Sequence, residues 1–403
     1  MILVDPQAQA WHRSVAVLLR ARYREPGSLA NIINGAVRPL GVETTVYLVD
    51  REQVTLRALP QTGRPGREPL PVDTTVAGRA FTTQEVVVPP GQVDRMWVPV
   101  IDDAERLGVM EFLLPEGLPA TDPGAREGAE LLALATGSVL VAKTAYGDTI
   151  RRTRRSRAMS TEGEMLWRTL PPLTCITSSL SLSAALEPCY DVGGDAFDYA
   201  VDYPRVRMSI LDAAGHGLTA ALTCAVTLAA TRAARAAESD LVATADAADR
   251  AIASQFHDSR YTTAILAELD TATGVVWYLN AGHPPAVLMR EGRVVTRLDA
   301  APRTPLGLPE PGTVAGQDLQ PGDRVLFYTD GITEARDDTG AFFGLDRLVD
   351  LAERHAASGL PVQEILRRLM RAVLDHQRGT LEDDSTLMIV EWHPGRGSPR
   401  PPG

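Results

Sequence analysis

Apolar residues recur along this chain at two periods, and the change of period divides it into regions. Over residues 6–24, Ala10, Val15, Val17 and Leu18 fall at helical spacing, and Pro26-Gly27 stops that helix. A second helix is predicted from Ser28, a good N-cap. Alternation then replaces the helical period. Residues 44–49 and 54–59 read as paired strands, and 86–88, 95–101 and 109–114 as three more, with a short helix over 76–81. Asp122-Pro123 opens a helix predicted to run, with breaks, to Leu170, where Pro171-Pro172 ends it. The apolar stretch 129–141 within it is expected to pack on the sheet and on a second copy. This order predicts one antiparallel sheet with helices packed on it.

Beyond Cys175 the pattern changes again. Strands are predicted over 206–211, 262–269, 275–280, 286–290, 294–298, 324–329 and 385–392, with turns at 271–274, Glu291-Gly292 and 321–323. Helices are predicted over 218–236, 240–255, 345–355 and 362–376. Hairpin-linked strands with two pairs of helices give an α+β fold with antiparallel sheets, not a doubly wound parallel one. The divisions are an N-terminal helix (1–26), a sheet domain (27–146), a helical connector (147–172), a second α+β domain (173–393) and a Pro/Gly/Arg-rich tail (394–403) predicted to be disordered.

The formal charge of −11 argues against a whole-chain role on nucleic acid, which calls for a basic footprint. Residues 151–157 hold five arginines in seven positions, but the run is short and lacks aromatics, so it reads as a solvated helix face or coiled-coil flank. No apolar run has the length of a membrane helix and the N-terminus lacks the plan of a signal peptide, so a cytoplasmic protein is expected. Cys175, Cys189 and Cys224 form no even framework and read as core residues.

The segments VAGRAF (76–81), MWVPV (96–100) and LGVMEFLL (107–114), with a hairpin through Asp102-Asp103, give residues 27–146 a resemblance to GAF domains. The resemblance implies a sensor of a small molecule or protein, or a dimerisation module that binds nothing. No residue identifies a ligand.

Four acidic clusters stand at strand ends or in Gly-rich turns of the C-terminal half. They are Asp195 in VGGDAFD, Asp212 in ILDAAGHGLTA, Asp330 in LFYTDG, and Asp383-Asp384 before STLMIV. Asp favours turns, so each has a bland explanation alone. Gathered at one sheet end they would repel one another unless a hard cation neutralised them. All-oxygen donors suit Mg²⁺, Mn²⁺ or Ca²⁺, and the Cys/His pairs zinc prefers are missing. Two such ions can activate a water and clamp the oxygens of an in-line displacement at phosphorus.

Five ordered motifs over residues 165–393 give this half a strong resemblance to the metal-dependent protein serine/threonine phosphatases (the PPM family), in their bacterial SpoIIE/RsbU branch. They are Gly193-Gly194-Asp195 with Asp198, Asp212 with Gly215-His216-Gly217, the run NAGHPP at 280–285, Tyr328-Thr329-Asp330-Gly331 with Glu334, and Asp383-Asp384-Ser385-Thr386-Leu387. The resemblance implies an α-β-β-α sandwich with two Mn²⁺ or Mg²⁺ ions at one end of the sheets. Asp212 would bridge both, the Ala213 carbonyl would complete the second site, Asp330 and Asp383 would hold the first, and Asp195 would lie among the metal ligands or directly behind them, orienting a metal-bound water. It implies hydrolysis of phosphoserine or phosphothreonine by a metal-bridged hydroxide, on a phosphorylated STAS-type anti-sigma factor antagonist. Gly194, His216, Asn280, His283, Gly331 and Asp384 are accessory positions. His216 and His283 could each donate a proton to the leaving oxygen or brace a Gly-rich loop.

One departure stands out. The family usually carries Gly where this chain has Ala213. If that position requires positive φ, Ala would strain it, and weaker occupancy of one metal site is expected. A Cys-x₅-Arg phosphate loop, a Walker A loop and the kinase motifs are absent. The expectation is a homodimeric phosphatase under control of its N-terminal domain, without nucleic-acid or membrane partners. The alternative is a catalytically weak or inactive sensor or scaffold of the same fold.

Overall fold

The computed structural model describes residues 6–20, 24–188, 190–191, 193–256, 259–300, 302–378 and 383–394. Cys189 and nearly all of the predicted disordered tail lie outside these residues. The chain forms two compact units, Met1–Ala158 and Met159–Gly403.

The first unit contains α1 (Pro6–Arg20), α2 (Leu29–Val37), β1 (Glu43–Val49), β2 (Thr55–Ala58), β3 (Leu70–Pro71), α3 (Val76–Thr83), β4 (Arg95–Asp102), β5 (Glu105–Leu113), α4 (Pro123–Thr144) and α5 (Thr149–Thr153). Its five strands form one antiparallel sheet in the order β3-β2-β1-β5-β4. Trp11, Ile33, Met96, Phe112 and Leu132 build the core shared by that sheet with α1, α2 and α4. Tyr47, Phe81, Trp97 and Val109 build a smaller one under α3. The strand expected at 86–88 is only a bridge from Val87 to Trp97. The arginine run is not a coiled-coil flank. It forms α5 and the turn after it, where Arg154 Nε donates to the carbonyl of Val49 at 3.1 Å and so caps the end of β1.

The second unit contains α6 (Thr161–Thr169), β6 (Thr174–Ile176), β7 (Leu180–Glu187), β8 (Asp195–Asp202), β9 (Arg205–Ala213), α7 (Gly217–Ala236), α8 (Leu241–Gln255), β10 (Thr262–Asp270), β11 (Val275–Ala281), β12 (Ala286–Arg290), β13 (Arg293–Leu298), β14 (Ala315–Asp318), β15 (Arg324–Tyr328), α9 (Asp330–Thr333), α10 (Leu345–Ala357), α11 (Val362–His376) and β16 (Ser385–Trp392). Two antiparallel sheets, β14-β11-β10-β9-β8 and β13-β12-β15-β16-β7-β6, lie face to face. The core between them is built from Phe197, Met208, Ile210, Ile265, Leu288, Phe327, Met388 and Val390. Leu211, Leu228, Ala245 and Leu266 pack α7 and α8 on the outside of the first sheet. Leu326, Leu348, Leu366 and Ile389 pack α10 and α11 on the outside of the second. The expected α-β-β-α sandwich is therefore the observed architecture.

Helix α7 is long and apolar enough to cross a membrane by length and composition, because its alanines raise its mean hydropathy without forming a long unbroken apolar run. Ala220, Ala221, Cys224 and Leu228 on it are buried against the sheet. Cys224 is a buried free thiol.

Candidate metal centre

The site follows from the period-two alternation of five strands. Side chains alternate between the two faces of a strand. In β9, Val206, Met208 and Ile210 face the gap between the sheets, and the next position of the same parity is Asp212. In β8, Phe197 faces the gap, and so does the position two before it, Asp195. The parity of Ile265, Phe327 and Met388 likewise assigns Thr263, Thr329, Thr386 and Asp384 to that face. The periodicity that makes the apolar core also delivers these polar groups to its end.

Strand register sets the row. Asp195 lies directly opposite Asp212 across β8 and β9, and Thr263 lies opposite Asp212 across β9 and β10. From the other sheet, Asp195 Oδ2 accepts hydrogen bonds from the hydroxyls of Thr329 at 2.8 Å and Thr386 at 2.7 Å. Asp384 Oδ2 accepts from the backbone N–H groups of Gly193 at 2.8 Å, Gly194 at 2.5 Å and Asp195 at 3.4 Å. Asp195 and Asp384 thus tie the two sheets together. Asp383 is exposed, and its Oδ1 accepts from the N–H of Asp384 at 2.9 Å. Asp330 opens α9. Gly331 is required here: a Cβ at this position would stand 1.9 Å from the carbonyl oxygen of Asp384.

The electrostatics are those of an uncompensated acidic cluster. Burial, then the neighbouring charges of Asp330, Asp383 and Asp384, raise the Asp212 carboxyl from near 3.8 to about 7. Burial, with Asp212 and Asp384 close by, raises Asp195 well above the usual carboxylate range. Asp330 is raised by burial and by Glu334 and Asp383. Asp384 is raised by burial, against the opposing pull of the N–H groups of Gly193 and Gly194. Burial beside these charges also raises the Cys224 thiol, so that residue is an inert core group.

These donors fit hard divalent cations. They are all oxygen and mutually repelling. Among the described residues no three acidic, His or Cys side chains close around a single point.

His283 is 4% exposed and fully engaged. Its Nε2 lies 3.1 Å from the carbonyl oxygen of Tyr328 and its Nδ1 lies 2.7 Å from the hydroxyl of Thr263. Asn280 holds its backbone: Oδ1 accepts from the N–H of His283 and Nδ2 donates to its carbonyl, both at 2.8 Å. Burial lowers the imidazole to about 3, so it is neutral near pH 7. His216 is exposed at the N-cap of α7 and makes no capping hydrogen bond.

The strain feared at Ala213 does not arise. Ala213 ends β9 and is not among the residues with positive φ; the left-handed positions of this turn fall on Gly215 (φ 99°) and Gly217 (φ 65°). The premise for weakened occupancy therefore fails. The Ala213 carbonyl oxygen packs against Gly194, where a Cβ would approach it to 2.8 Å.

Asp198, from the same sequence motif as Asp195, points to the opposite face and takes no part in the cluster. Its Oδ1 accepts from Arg232 Nη2 at 2.6 Å and its Oδ2 from Arg235 Nη1 at 2.6 Å. Arg232 Nη2 also donates to the Thr169 carbonyl, at the end of α6, at 2.8 Å. Sequence reasoning did not single out Thr263, and it quoted Thr329 and Thr386 within their motifs without giving them a role; strand register is what sets all three beside the carboxylates.

Residues 202–393 match the model of the family described as Stage II sporulation protein E (SpoIIE). The match takes in Asp212, Asp330, Asp383 and Asp384 but begins after Asp195. The phosphoserine phosphatase RsbP of Bacillus subtilis is 29% identical over 210 residues, covering 50% of this chain and 49% of RsbP. The phosphoserine phosphatase RsbU of the same organism is 25% identical over 223 residues, covering 53% of this chain and 63% of RsbU. The chain thus spans about half of the one and less than two thirds of the other. Among solved structures, the RsbU and RsbW domains of Rv1364c from Mycobacterium tuberculosis are 27% identical with a TM-score of 0.47, covering 53% of this chain and 62% of that one.

Proposed function

We propose, from the match of residues 202–393 to the SpoIIE family model, that the second unit is a metal-dependent phosphatase acting on phosphoserine or phosphothreonine of a regulatory protein. One observation carries this reading. The row Asp195–Asp212–Thr263 of one sheet faces the acidic ends of two strands of the other, and its central carboxyl is pushed to about 7 by burial and by like charges.

Two Mn²⁺ or Mg²⁺ ions would be held by Asp212, Asp330, Asp383 and the Ala213 carbonyl. When bound, such ions supply charge neutralisation and Lewis-acid activation of water. The chain's own groups do the rest. Asp195 and Asp384 fix the distance between the sheets through buried hydrogen bonds and leave the metal-facing carboxylates in register. His283 is neutral and saturated, so it is no acid for the leaving oxygen. His216, exposed at the N-cap of α7 and four residues beyond Asp212, would then be the motif imidazole left for that role.

The similarity to RsbP and RsbU supports a STAS-type anti-sigma factor antagonist in its phosphorylated form as the substrate. The first unit would act as the GAF-like regulator in the cytoplasm. It carries a cavity of about 630 Å³ lined by Val86, Val98, Ile101, Arg126, Glu130 and Leu134, which suits a small-molecule signal. Leu131, Leu134 and Val141 are exposed on α4, and pairing of protomers there would cover them.

The test is hydrolysis of p-nitrophenyl phosphate with and without Mn²⁺, beside Asp212→Asn. Turnover should require the metal and disappear in the variant. Metal-independent turnover, or full activity in the variant, would sink the reading.

A further inference from the structure

Thr263 has one hydroxyl proton and two neighbours that could take it. His283 Nδ1 is 2.7 Å from the oxygen, and Asp212 Oδ2 is 3.5 Å from it. The tautomer of His283 decides between them. Its Nε2 faces the Tyr328 carbonyl, which can only accept, so Nε2 carries the proton. A neutral imidazole has one N–H, so Nδ1 presents a lone pair and receives the Thr263 proton. Asn280, bonded to both backbone groups of His283, fixes the backbone from which the ring extends.

We propose that His283 is a positioning residue: by accepting the hydrogen bond of the Thr263 hydroxyl it keeps Oδ2 of Asp212 clear of that donor and open toward a divalent cation. The proposal rests on the metal-site reading above and adds a task for the imidazole, which the chemistry itself does not use. Were the acceptor removed, the hydroxyl would turn to the strongest acceptor left beside it, the Asp212 carboxylate. A hydrogen bond there takes up one of the two lone pairs of that oxygen and competes with a cation for it. Thr263 is thus neutral to the site or harmful to it, according to what His283 does. Partners behind metal ligands commonly change affinity by about 10–100-fold.

The claim predicts a rescue. Mn²⁺ alone is titrated calorimetrically into the full chain as wild type, His283→Phe, Thr263→Val and the double variant. His283→Phe should weaken Mn²⁺ binding about tenfold or more, while Thr263→Val should stay within about threefold of wild type. The double variant should return to the level of Thr263→Val, because no hydroxyl is left to misdirect. Binding by His283→Phe equal to wild type, or a double variant as weak as His283→Phe, overturns the proposal and leaves the phosphatase reading intact. A wild type that binds no Mn²⁺ overturns both. If His283→Phe does not fold, the wild-type imidazole is read directly by long-range ¹H–¹⁵N correlation. The expected signature is the Nε2–H tautomer; an Nδ1–H tautomer or an imidazolium overturns the proposal.

Discussion

Replacing Asp212 by Asn should make the cation-free protein more stable near neutral pH while removing its response to Mn²⁺. The carboxyl ionises near 3.8 when exposed and at about 7 in the folded chain. A folded-state value above the unfolded one means that the folded protein binds the proton more tightly. Its contribution is therefore complete below the unfolded value and is lost as pH rises through the folded one. At ~1.4 kcal/mol per pH unit, the window between these values represents at most about 4 kcal/mol. Asn matches the uncharged state but lacks the acid's hydroxyl donor, so about half of this, ~2 kcal/mol, is expected back. For a unit of this size that raises the melting temperature by about 4–8 °C. The assay is thermal unfolding in chelator across about pH 5–8, with Mn²⁺ added in a second series. Wild type should lose stability toward the alkaline end more steeply than the variant, which keeps the raised carboxyls of Asp195, Asp330 and Asp384, and only wild type should regain it with Mn²⁺. Equal or lower stability of metal-free Asp212→Asn at the alkaline end would refute the argument, because the cluster would then not be under electrostatic stress.

Gly331→Ala should drive a Cβ to within 1.9 Å of the Asp384 carbonyl, so the turn must move. A loss of about 1–3 kcal/mol in denaturant unfolding is expected, together with weakened Mn²⁺ binding. Asp383 and Asp384 should separate by role. Asp383→Ala, at an exposed residue, should change cation-free stability by no more than ~0.5 kcal/mol yet lower Mn²⁺ affinity. Asp384→Ala strands the N–H groups of Gly193 and Gly194 and should cost about 1.5–3 kcal/mol by denaturant titration. Ala213→Gly should not strengthen Mn²⁺ binding in a calorimetric titration, because the residue already sits in extended backbone.

Much of this arrangement was legible in the sequence because the strands that carry it are strongly apolar and alternate. Residues 206–211, 262–269 and 324–329 were read as strands that the structure extends by a few residues or trims by one. Strand β7 escaped notice because LSLSAALE is built of small residues with little preference for a strand. Only pairing along β16 makes it central to its sheet. Strand β8 escaped for a different reason. DAFDYAVD spreads three acids over eight residues, and their local preference is for turns. Sequence spacing could not show that Asp195 and Asp198, three apart, must face opposite ways in a strand. The acidic positions were found, but the threonines that hold or shadow them were not, since an isolated Thr at a strand end carries no signal until register places it beside a carboxylate.

The bond from Arg232 to the end of α6 bears on where this chain can be cut. Pro171-Pro172 breaks the helical pattern and invites a fragment that begins just beyond it. Leu166 on α6 is fully buried, however, and the Thr169 carbonyl shares Arg232 with Asp198. A fragment starting after the prolines would open the helix-side core and leave Arg232 of α7 without its Thr169 acceptor. One starting at Met159 keeps both. The break in the sequence pattern and the seam in the packing are thus different places, and preparations made at the two should differ in stability before any metal is added.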